Sequence, residues 1–96
     1  MTEIQATLDY IRAHQAQAVQ SVIELCSIPS VSTLSAHKSD VDRAAVWVAD
    51  RMGLAGMDKV RVLPTDGHPV VYGEKLGADG QPTILLYGHY DVQPAD

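Results

Sequence analysis

The sequence predicts an α/β fold, helices first and then a sheet for them to pack against. Two observations carry that expectation. Apolar residues recur at helical spacing through the first half of the chain. Short β-branched runs bounded by proline and glycine follow in the second half. Length adds a bound: 96 residues leave room for one small domain at most. A domain of that size buries a modest share of its surface and is marginal unless well packed.

Ile4, Leu8 and Ile11 mark one apolar helical face, and Val19, Val22, Ile23 and Cys26 mark another. His14 lies between them, where the helix either continues or bends. Pro29 stops the run, because proline has no amide proton and disfavours helix in the residue before it. Ser30, Ser32, Thr33 and Ser35 then give a polar loop. A third helix starts near Ser39, where Ser39-Asp40-Val41-Asp42 partly fits a capping box, Glu or Gln being commoner than Asp at its last place. Val41, Ala44, Ala45, Val48 and Met52 continue the helix, and Gly53 is a suitable C-cap. Val60 and Val62 alternate with Arg61 in a short strand ending before Pro64, and Val70-Val71-Tyr72 starts another. Gly77-Ala78-Asp79-Gly80 signals a turn. Thr83-Ile84-Leu85-Leu86-Tyr87 is apolar without alternation, as in a strand covered on both faces. The expected pairing is an antiparallel hairpin of residues 69–76 with residues 83–89.

A net charge of −5 without a basic cluster excludes the Lys/Arg patch that nucleic acid binding needs. No apolar run approaches bilayer length, so no membrane partner is expected. Met1-Thr2-Glu3-Ile4-Gln5 lacks the features of a secretory signal, and a cytoplasmic location is the default. The single cysteine, Cys26, excludes an internal disulfide and reads as a small buried apolar residue rather than a nucleophile.

The residues with chemistry are Gly88-His89-Tyr90-Asp91. Side chains two apart on a strand point the same way, so His89 and Asp91 can face one spot beyond the strand's carboxyl end. Open α/β sheets bind ligands at such ends. Imidazole is a good zinc ligand, and a neighbouring carboxylate orients its ring and raises its basicity. Gly88 leaves room for close approach to the backbone. Spacing alone fits a second account better: a structural histidine hydrogen-bonded to a turn aspartate. His14, His37 and His68 have no partner at metal-ligand spacing. Asp40 and Asp42 are explained by the preference of negative charge for a helix N-terminus.

The longer run Ile84-Leu85-Leu86-Tyr87-Gly88-His89-Tyr90-Asp91-Val92-Gln93-Pro94 resembles a motif of the two-zinc metallopeptidase family. That family includes carnosinase-type dipeptidases, aminoacylases, acetylornithine deacetylases and succinyl-diaminopimelate desuccinylases. Leu25-Cys26-Ser27-Ile28-Pro29-Ser30-Val31-Ser32 and His68-Pro69-Val70-Val71-Tyr72-Gly73 extend the resemblance over nearly the whole chain. It implies a partial catalytic domain of zinc-peptidase-like fold, residues 1–96 being its N-terminal part, with helices on a mixed sheet. It implies His89 as a zinc ligand, and Asp91 as the residue that supports it and assists catalysis. His-Tyr-Asp-Val-Gln-Pro is nearer the dipeptidase branch, since many deacylases carry Thr at the middle place.

The family's other elements lie downstream of this motif: a bridging aspartate, paired glutamates, a further ligand, a late histidine and a dimerising lid domain. No Glu-Glu pair occurs here. The expectations are therefore metal-assisted amide hydrolysis by a two-zinc, homodimeric full-length enzyme acting on a dipeptide, and no activity in this chain alone. The alternatives are an N-acyl amino acid deacylase of the same family and a non-enzymatic α/β module. A strand left uncovered also predicts that the isolated chain self-associates.

Overall fold

The structure, a computed structural model, describes residues 2–95. The α/β class holds: three helices precede a two-stranded antiparallel sheet. Helix α1 spans Glu3–Ala13, capped by the Thr2 hydroxyl, which accepts from the Gln5 amide at 3.1 Å. Helix α2 spans Gln15–Cys26. The break between them falls at His14, whose φ of −112° lies outside the helical range. Its ring stacks on Tyr10 at 3.9 Å between centroids, and its Nδ1 sits 2.8 Å from the Tyr10 carbonyl oxygen. The helix therefore bends at a side chain that bonds back onto the preceding turn.

A 3₁₀ turn, Ser35–His37, leads into α3, Lys38–Leu54. The capping box expected at Ser39 does not form, because the helix begins one residue earlier and His37 occupies the cap. Asp40 is drawn instead to His37 Nδ1 at 2.8 Å and to Arg43 at 3.3 Å, while Asp42 pairs with Lys38 at 3.3 Å. The two carboxylates are thus committed to separate neighbours. The left-handed residue that ends α3 is Gly56, at φ 91°, three residues beyond the expected Gly53.

Strand β1, Asp58–Leu63, pairs with β2, Val70–Glu74, in a register that sets Val62 opposite Val71 and Arg61 opposite Tyr72. The ladder is irregular between Asp58 and Arg61, where Lys59 adopts φ 51° and reaches Glu74 at 3.2 Å. Helix α3 lies on this hairpin through Val41, Ala44 and Ala45, all fully buried. At Gly73, a Cβ would meet Met52 Sδ and Val60 Cγ2, each at 3.4 Å, so glycine lets the helix and strand close up there.

Two further expectations are corrected. Residues 83–89 form no strand and do not pair with β2; β1 takes that place. Ile84, Leu85, Leu86 and Tyr87 are 79%, 92%, 87% and 89% exposed. The physical reason is cover: an all-apolar strand needs a layer on each face, and α3, the helix that packs on the sheet, is already used on the β1–β2 hairpin. Cys26 is exposed rather than buried, because α2 does not pack on the sheet. Helices α1 and α2 instead form an arm tied to α3 by the Arg51 to Ser21 hydrogen bond at 2.8 Å. Among the described residues no helix is long and apolar enough to cross a membrane.

Candidate metal-binding site

The terminal stretch returns to the 30–32 loop. Val31 and Val92 form a parallel bridge, and the Val92 amide donates to the Ser30 carbonyl at 2.9 Å. Ser30, nearly fully buried, donates its hydroxyl to the Tyr90 carbonyl at 3.1 Å. These bonds join segments about 60 residues apart and fix the backbone on either side of Asp91.

His89 and Asp91 meet as their spacing implies, with His89 Nε2 3.0 Å from Asp91 Oδ1. They do so from an irregular segment beside an isolated bridge rather than from a strand. The other carboxylate oxygen, Oδ2, accepts from the Ser32 hydroxyl at 2.5 Å. That bond is the main cause holding the Asp91 carboxyl below its ordinary range, with the positive potential of His89 and His68 adding to it against the cost of partial burial. An ionised carboxylate only accepts, so it favours the histidine form that carries a proton on the facing nitrogen. The other ring nitrogen, Nδ1, lies outside that contact, and the His89 side chain is 64% exposed against 31% for Asp91.

Tyr90 points the other way. Its hydroxyl donates to the Pro69 carbonyl at 2.5 Å, and burial foremost, then Asp91 and Asp42, keeps the phenol protonated by raising its pKa. The motif is thereby pinned to the 68–69 loop.

Two residues with a part here were not picked out from the sequence as site residues. Ser32 holds the Asp91 carboxylate, and His68 Nε2 donates to the Ser32 carbonyl at 2.8 Å. His68 Nδ1 is buried without a hydrogen-bond partner. Their signal was confined to the two stretches that carry the resemblance, Pro29-Ser30-Val31-Ser32 and His68-Pro69. His14 and His37 are engaged within their own elements.

The donor set is partial. Among the described residues no three His, Cys, Asp or Glu side chains converge as a metal cage. A groove of 320 Å³ lies between α3 and the β1 end, and a second runs between α2 and α3 beside Trp47; neither contains His89 or Asp91. The imidazole is exposed and the carboxylate half-buried behind it, an arrangement that fits one coordination position, an imidazole backed by a carboxylate.

No protein-family model matches the chain. A cysteinylglycine-S-conjugate dipeptidase of Corynebacterium striatum is 37% identical over 79% of this chain, which spans 17% of that protein. The human Beta-Ala-His dipeptidase is 33% identical over 97% of the chain and 21% of its own length. The Cys-Gly metallodipeptidase DUG1 of Saccharomyces cerevisiae is 30% identical over 71% of the chain and 17% of its length. The relatives that the chain resembles are thus dipeptidases and metallodipeptidases, each matched over part of its length. The solved structure of the di-peptidase Dug1p from Saccharomyces cerevisiae matches the fold with a TM-score of 0.87 at 23% identity, covering 97% of this chain and 22% of that one. The chain spans about a fifth of the length of the curated relatives that it matches.

Proposed function

We propose that this chain is a segment of a metal-dependent dipeptidase, in which His89 supplies one ligand to the catalytic metal and Asp91 holds that ligand in place. The observation that carries the reading is the His89–Asp91 pair at 3.0 Å with the second ring nitrogen left for a cation. The dipeptidase and metallodipeptidase names of the relatives support a dipeptide rather than an N-acyl amino acid as substrate. They support a metal as cofactor, and the imidazole donor suits zinc. When bound, such ions polarise the scissile carbonyl and lower the pKa of a bound water. Two zinc ions, a cytoplasmic location and a homodimer are proposed on the sequence reading.

The chain's own contribution is positional. Ser32 donates to one oxygen of Asp91 and His89 Nε2 lies 3.0 Å from the other, so the carboxylate is held ionised with one edge toward the imidazole. The ring is thereby set for coordination through the other nitrogen. No Glu-Glu pair is present to act as general base, and one imidazole falls short of the three protein ligands usual at a catalytic zinc.

The test compares the full-length protein with the isolated chain. Chelation is expected to abolish dipeptide hydrolysis by the full-length protein and added zinc to restore it, with a chromogenic acyl-amino acid turned over far more slowly. The isolated chain is expected to show no turnover above a His89→Ala control, with or without zinc. Hydrolysis that survives chelation, or turnover by the chain alone, contradicts the proposal.

A further inference from the structure

We infer that Ser32 is a positioning residue for the metal site, its hydroxyl fixing the Asp91 carboxylate that orients His89, and that His68 holds Ser32 in place from behind. The inference rests on the metal-ligand reading of His89 and extends it to two residues outside the His-x-Asp motif.

The geometry is a continuous set of donors and acceptors. His68 Nε2 donates to the Ser32 carbonyl at 2.8 Å. The Ser32 hydroxyl donates to Asp91 Oδ2 at 2.5 Å, and His89 Nε2 faces Asp91 Oδ1 at 3.0 Å. A carboxylate held at one oxygen alone turns about its terminal torsion, which is broad and poorly restrained. Held at both, it presents Oδ1 to His89 in one orientation. The serine is itself fixed. The Ser30 to Tyr90 bond and the Val31–Val92 bridge lock residues 30–32 beside residues 90–92. On the other flank, Tyr90 bonds to the Pro69 carbonyl, next to His68. Three segments far apart in sequence therefore converge on one carboxylate.

Carboxylate partners of metal-bound histidines are typically worth about 10- to 100-fold in affinity or activity. Ser32 acts one bond further out, through Asp91, and its removal is expected to fall within the lower part of that range. The test uses the full-length protein and zinc itself, with affinity measured by competition against a chromophoric chelator. Ser32→Ala is expected to weaken zinc binding about tenfold and to lower kcat with KM little changed. The unfolding temperature of the metal-free protein should stay at the wild-type value. Ser32→Thr, which keeps the hydroxyl, should recover most of the loss. In an Asp91→Asn background, Ser32→Ala should cost little more, because the carboxylate that it holds is gone. Wild-type zinc affinity in Ser32→Ala overturns the inference. So does an equal loss in both backgrounds, or a loss that Ser32→Thr fails to recover. A His89→Ala control separates the two levels. If it loses zinc while Ser32→Ala does not, the positioning role alone is wrong. If it binds zinc normally, the metal-ligand reading fails and the inference falls with it.

Discussion

Replacing His89 with alanine in the full-length protein is expected to remove most bound zinc and to lower dipeptide turnover by about 100-fold or more, since a direct ligand carries at least the weight of the groups that orient it. The effect is expected mainly in kcat, because the lost group would act on the reacting centre. Asp91→Asn is expected to fold normally and to lose about 10- to 100-fold in activity or metal affinity. The amide keeps one oxygen for Ser32 or His89, but it cannot present two acceptors at once. Metal analysis after gel filtration, with steady-state kinetics on both variants, checks the pair. Full zinc occupancy and normal turnover in His89→Ala contradict the assignment.

The second large effect concerns the chain by itself. It exposes 7776 Å², whereas a closed monomer of its 10.4 kDa exposes about 5,400 Å². Its radius of gyration is 15.9 Å against about 12.5 Å for a compact domain of this length. The excess surface exceeds the roughly 1,600 Å² that a standard interface buries in total. Much of it is apolar: Ile84 to Tyr87 on the terminal segment, and Ile4, Ile11, Val19, Val22 and Ile23 on the helical arm. The isolated chain is therefore expected to self-associate or to fold loosely, with the unpaired backbone at 83–89 as the edge that recruits a second copy. Size-exclusion chromatography with light scattering reads this directly. A sharp monomer peak with a cooperative thermal transition contradicts it.

What the sequence showed, and where it fell short, follows from the range of the interactions. Helices α1 to α3 were legible because apolar spacing is local, and α3 buries Val41, Ala44 and Ala45 as that spacing requires. The strands around Val60–Val62 and Val70–Tyr72 were legible for the same reason. Their pairing was not. Thr83 to Tyr87 has the composition of a strand, but a strand also needs a neighbour, and composition does not say whether the chain supplies one. The end of α3 was misplaced by three residues because Gly53 and Gly56 are both suited to a C-cap, and only the backbone shows which is left-handed. At the site, the nearness of His89 and Asp91 was legible, since a spacing of two and the longer motif around it both drew attention to the pair. Ser32 and His68 were not, since they reach the carboxylate across 59 residues and the Ser32 carbonyl across 36.

The central claim is that His89 is a metal ligand oriented by Asp91. The most direct measurement is anomalous diffraction at the zinc edge from crystals of the full-length protein. The account predicts an anomalous peak about 2.0–2.1 Å from the His89 ring nitrogen turned away from Asp91, with the carboxylate still bonded to the opposite nitrogen and to Ser32. A zinc peak elsewhere in the protein, with the His89 imidazole bonded only to Asp91 or to solvent, would contradict it.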